Sequence, residues 1–94
     1  MLQDLGAYEE GAELLRKALA SDEASFEPGH PAIAVKQSNL ALVLKELGEF
    51  EEAETLARSA YESFERKFGP EHPQTLKTKK NWGAMEKLRR SEGK

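Results

Sequence analysis

The sequence predicts an all-α fold, an α–α superhelix of about four helices plus an N-terminal stub, and three observations carry that prediction. Shifted by 42 residues, the chain aligns with itself without a gap. Apolar residues within each unit recur at spacings of three, four and seven. Glycine and proline punctuate the units at matching places. At this shift 16 of 52 aligned positions are identical, and the matches collect at turns and small residues, which chance has no reason to favour.

The first helix is expected over 8–25. Its approach, Leu5-Gly6-Ala7-Tyr8-Glu9-Glu10, falls on Leu47-Gly48-Glu49-Phe50-Glu51-Glu52, and Leu14, Arg16 and Ala18 fall on Leu56, Arg58 and Ala60. The linker Phe26, Pro28, His30 and Pro31 falls on Phe68, Pro70, His72 and Pro73. A second helix, 31–47, carries Ile33, Leu40, Val43, Leu44 and Leu47 on one stripe. Gly48 ends it, because glycine takes the left-handed conformation that a helix C-terminus often needs. Phe50, Ala53, Leu56, Ala57, Ala60, Tyr61, Phe64 and Phe68 then define a third helix over 50–67. Gly69-Pro70 stops it, and His72-Pro73 opens a fourth helix over 73–90, with proline tolerated in the first turn. Strands are not expected, since Val and Ile show almost no period-two alternation.

Small residues mark where helices must approach. Ala12, Ala18, Ala41, Ala53, Ala57, Ala60 and Gly83 are the expected contact points. A stack of helix pairs lets each unit borrow burial from its neighbour, so a chain only 38% hydrophobic can still hold a core.

Composition narrows the function classes. Ninety-four residues make one domain, 1–94, divided into an incomplete repeat 1–30, a full repeat 31–72 and a C-terminal capping helix 73–90. The absence of cysteine removes disulfides, thiol nucleophiles and every cysteine-based metal centre. No apolar run approaches the ~20 residues that cross a bilayer, so no membrane association is expected. Met1-Leu2-Gln3-Asp4 is unlike a secretory signal, which makes the cytoplasm the expected compartment. The net charge of −3 hides a split: residues 1–65 hold 14 acids and 5 bases, residues 66–94 hold 3 acids and 9 bases. The body is acidic and its last third basic, which is where a partner search begins.

Asn39-Leu40-Ala41 followed by Leu47-Gly48-Glu49-Phe50-Glu51-Glu52-Ala53 resembles the tetratricopeptide repeat: leucine and a small residue, a glycine turn, an aromatic, then alanine. The 42-residue period and the linker Phe68-Gly69-Pro70-Glu71-His72-Pro73-Gln74-Thr75 are similar to the kinesin-light-chain variety. The first linker departs from it, with Glu27 and Gly29 where the second has Gly69 and Glu71, and Gly11 stands where Ala53 does. The resemblance implies a protein-interaction scaffold in which the first helix of each pair lines a concave groove.

Both ends carry expectations. Helix 8–25 lacks the partner that precedes it in a full pair: either the sequence is cut from a longer array, the favoured reading, or a homodimer covers the bare face of that helix. At the other end Leu44 becomes Glu86, Leu47 becomes Arg89 and Gly48 becomes Arg90. These positions are expected to face a following helix and, being polar, to end the array; Trp82, in place of Leu40, is expected to cover the end of the core.

Nothing points to an enzyme, a metal or a cofactor. His30 and His72 occupy equivalent places before prolines and read as two copies of one turn device. Glu9-Glu10 and Glu51-Glu52 read as first-turn acids favoured by the helix dipole. No phosphate-cradling glycine loop occurs.

Binding is the expected function. The family's groove positions correspond to Val35, Ser38, Asn39 and Leu42 on one helix and to Lys77, Lys80, Asn81 and Ala84 on the next. Asn39 and Asn81 match the groove asparagine, whose amide both donates to and accepts from a peptide backbone. Lys77 and Lys80, three apart on one helix, can address the same acidic group, so a protein or peptide partner with acidic character is expected. Two alternatives stand beside it: self-assembly of the acidic body with the basic C-terminal helix, and nucleic-acid contact through Lys77, Lys79, Lys80, Lys87, Arg89 and Arg90. The acidic remainder of the chain disfavours the second.

Overall fold

The computed structural model describes residues 5–92, with side chains for 6–91. Four helices follow one another: α1 (Leu5–Ser25), α2 (Pro31–Glu46), α3 (Phe50–Phe68) and α4 (Pro73–Glu92). Each packs on its neighbour in sequence, and α2 and α4 also touch directly across α3. Among the described residues there is no strand. This is the helical-repeat architecture that the 42-residue period demands.

The core forms where the two stripes meet. Leu40, Leu44, Ala41, Ala53, Ala57 and Met85 are at most 1% exposed and share one cluster with Ala12, Leu19 and Ile33. Ala34, Ala60 and Phe64 make a second cluster between α2 and α3. The alanines keep the helix axes close, so a few large side chains suffice; burying one leucine contributes roughly 1.5–3 kcal/mol.

The α2–α3 turn shows why Gly48 is glycine. Its φ is +83°, the left-handed region, and the helix end is closed by a Schellman arrangement. Gly48 N–H donates to the Lys45 carbonyl at 3.1 Å and Glu49 N–H to the Leu44 carbonyl at 2.9 Å. Gly6, its repeat equivalent, does not act this way. The first helix begins at Leu5, not at residue 8, and Gly6 lies inside it. Glycine permits the left-handed turn without imposing it; at Gly48 it closes α2 where α3 packs back onto it. The expected stub therefore loses Leu5 to α1, while its remainder, Met1–Asp4, lies outside the described residues. Glu9-Glu10 consequently sit a turn inside α1, whereas Glu51 and Glu52 do occupy the first turn of α3.

Both linkers are built around histidine. His30 Nδ1 accepts from Ala32 N–H at 3.0 Å and His72 Nδ1 accepts from Gln74 N–H at 3.1 Å, so each ring caps the helix it precedes. Phe26 stacks on His30 with ring centroids 4.3 Å apart, and Phe68 stacks on His72 at 4.6 Å. The backbone routes differ. In the first linker the left-handed residue is Gly29, φ +84°, after Pro28, the pattern of a type II turn; in the second it is Gly69, φ +95°, directly after α3. Glycine has moved from the end of one linker to the start of the other, while the histidine cap has stayed in place.

Two expected contact points do not behave as such. Gly83 is exposed, with nothing within 4 Å of where a Cβ would stand. Ala18 is only half-buried, while its equivalent Ala60 is fully buried, because among the described residues no helix lies against the face of α1 that corresponds to the α2-facing side of α3. Leu14 is 65% exposed for the same reason, although its equivalent Leu56 packs on the core.

Candidate functional site

All eight groove positions are accessible to solvent. On α2, Val35 and Asn39 are exposed while Ser38 and Leu42 are half-buried; on α4, Lys77, Lys80 and Ala84 are exposed and Asn81 is half-buried. The reason lies in helical period: α2 buries Ile33, Ala34, Leu40, Ala41 and Leu44, which turns the 35–38–39–42 stripe outward. On α4 the buried residues are Thr75, Thr78 and Met85, leaving the 77–80–81–84 stripe outside. Leu42 also leans on the core, which limits its freedom.

The electrostatics of α4 are uneven. Arg89 Nε donates to Glu54 on α3, and Arg90 pairs with Glu86 one turn back at 3.5 Å. Lys77, Lys79 and Lys80 form no ion pair among the described residues, so their charges remain available to a ligand. Two of the six cations of the candidate nucleic-acid patch, Arg89 and Arg90, are thus already matched by carboxylates.

Arg89 corrects an expectation. It faces back onto α3 rather than outward to a following helix: Leu47, its equivalent, packs in the cluster that holds Ala12, and Ala12 is the equivalent of Glu54. An apolar contact in one repeat has become an ion pair in the next. Trp82 joins the same site, donating its Nε1–H to Glu54 at 3.4 Å and stacking on Tyr61 at 5.4 Å. Trp82 is half-buried against the core, and its indole is committed to packing.

Two hollows are present, and the first shares Ala84 with the expected groove stripe. One runs along the open side of α4, lined by Gly83, Ala84, Lys87, Leu88 and Ser91. The other lies between the end of α1, α2 and α3, lined in part by Glu23, Gln37, Ser59 and Ser63. Gln37 Oε1 is buried there without a hydrogen-bond partner among the described residues. No group of three His, Asp or Glu side chains among the described residues could hold one metal ion.

Helices stacked at a fixed period, with alanines buried between α2 and α3 and a solvent-facing stripe along α2 and α4, define a helical-repeat protein. The tetratricopeptide repeat family model matches residues 1–62 and again 32–91, and the chain belongs to that family. Its members serve generally as protein–protein interaction modules. Comparison with curated proteins found no match. No helix among the described residues is long and apolar enough to cross a membrane.

Proposed function

We propose that the 35–38–39–42 and 77–80–81–84 stripes form adjoining walls of one groove that binds an extended peptide of a partner protein, with acidic residues of the peptide directed to Lys77 and Lys80. The observation that carries this reading is the pair of exposed lysines without ion-pair partners on the same helix as Asn81. A carboxylate brought there meets two positive charges one turn apart and gains charge-assisted hydrogen bonds. Asn39 and Asn81 hold the peptide backbone, each amide offering a donor and an acceptor. Val35, Leu42 and Ala84 supply the apolar floor. Neither a reacting group nor a cofactor has a part in this function.

A peptide array of acidic and aromatic-acidic sequences tests the reading. Binding is expected to weaken by about tenfold in Lys77→Glu, where attraction becomes repulsion. Asn81→Ala is expected to weaken binding to acidic and neutral peptides alike. Equal binding by both variants and by the unaltered chain overturns the assignment.

A further inference from the structure

Two helix faces with no helix against them among the described residues are complementary halves of a contact the chain already makes. Within the chain, α2 presents Ala34 and Ala41 to α3, which answers with Ala53 and Ala60; all four are fully buried. The 42-residue shift carries Ala34 and Ala41 onto Leu76 and Gly83 of α4, and Ala53 and Ala60 onto Gly11 and Ala18 of α1. On α4 these positions are open: Leu76 is 52% exposed, and Gly83 borders the hollow that Leu88 also lines. On α1 the corresponding face holds Leu14, 65% exposed, between Gly11 and Ala18. One end therefore carries a first-helix surface without a second helix, and the other a second-helix surface without a first.

We infer that α4 of one molecule receives α1 of a second copy of this chain, so that copies join head to tail and continue the stack across the junction. Two independent features favour a second copy as the occupant. The first is shape: Gly83 meets Gly11 where Ala41 meets Ala53 inside the chain, and neither glycine has any atom within 4 Å of a Cβ position, so two helices can approach closely there. The second is charge. Leaving aside groups already paired within the chain, α1 keeps Glu9, Glu10, Glu13 and Glu23 against Lys17, and α4 keeps Lys77, Lys79, Lys80 and Lys87 against Glu92, so the joined helices attract while α1–α1 and α4–α4 pairings repel. A junction of unlike faces leaves each copy with one face of either kind still open, so growth continues until a ring closes or a filament forms.

Sedimentation equilibrium of the 94-residue chain provides the test. Gly83→Gln and Gly11→Gln place a long polar side chain on one face each, in open space, and glutamine favours a helix interior over glycine. Neither variant has reason to unfold, which circular dichroism checks directly. The unaltered chain is expected to increase in mass with concentration above its 10.5 kDa monomer, less so in ~1 M salt, where the Debye length is about 3 Å. Each variant alone is expected to remain a monomer. Mixed in equal amounts, the two are expected to form a dimer and stop there, because one intact α4 face meets one intact α1 face and both outer faces are blocked. A chain that stays monomeric at millimolar concentration, a single variant that assembles like the unaltered chain, or a mixture that stays monomeric each overturns the inference. Groove binding does not depend on the outcome, since none of the eight stripe residues is altered.

Discussion

Arg89 of α4 donates to Glu54 of α3 at the place where the preceding repeat sets Leu47 in the same apolar cluster as Ala12. Equivalent positions have exchanged an apolar contact for a charged one. Glu54 also accepts from Trp82, so its carboxylate is held from two sides. Arg89→Leu alone strands a carboxylate whose side chain is only 13% exposed, and a loss of about 1–3 kcal/mol is expected. Adding Glu54→Ala, which restores the arrangement of the first repeat, is expected to recover most of it. Urea unfolding of the single and double variants checks this; a double variant weaker than Arg89→Leu contradicts it.

The histidines are helix caps, and they act separately. Replacing His30 or His72 by alanine removes an acceptor from a helix N-terminus and the partner of a stacked phenylalanine. Each change is expected to cost about 1 kcal/mol, and asparagine, which keeps a capping acceptor, less. Because the two sites share no partner, the double alanine variant is expected to lose the sum, as read from denaturant midpoints.

Thr75 fills a fully buried place in α4 with a hydroxyl that has no hydrogen-bond partner among the described residues. Its repeat equivalent is Ile33, also buried. Valine matches threonine in shape and lacks the unpaired hydroxyl, so Thr75→Val is expected to stabilise the chain by about 1 kcal/mol. A lower melting temperature contradicts the burial of that hydroxyl.

Arg16 ties α1 to α3 through two hydrogen bonds to Glu52, at 2.5 and 3.0 Å. The hydrogen bond from the guanidinium holds the Glu52 carboxyl below the usual glutamate range, against a smaller opposing effect of burial. A depressed carboxyl stabilises the fold above its unfolded value and loses that contribution as pH falls through its folded value. Glu52→Gln is therefore expected to be less stable than the unaltered chain at neutral pH, with the gap closing as acid protonates Glu52. Both groups are well exposed to solvent, which keeps the difference below about 1 kcal/mol. Thermal melts across the acid range measure it; a gap that widens on acidification contradicts the ion pair.

Much of the fold was legible because a repeat announces itself twice. The period, the stop at Gly48 and the paired histidine linkers were each readable from recurring residues, and the helix ranges follow them to within a few residues. What the alignment does not carry is direction. It equates Arg89 with Leu47 but is silent on which neighbour either one faces, so a side chain bound to α3 was read as facing outward. Likewise it equates Gly83 with Ala41 and Gly6 with Gly48, yet Gly83 is exposed and Gly6 lies inside a helix. The outward orientation of the 35–38–39–42 stripe was readable for the opposite reason: it follows from the phase of the buried residues on the same helix.

Titration of the isotopically labelled chain with an acidic peptide selected from the array, followed by amide and side-chain NMR shifts, tests the groove most directly. The largest changes are expected at Val35, Ser38, Asn39 and Leu42 on α2 and at Lys77, Lys80, Asn81 and Ala84 on α4, and Lys77→Glu is expected to need about tenfold more peptide to reach them. Shifts that instead centre on the Glu54, Trp82 and Arg89 cluster or on the outer face of α1, and persist in Lys77→Glu, contradict a peptide-binding groove on these two helices.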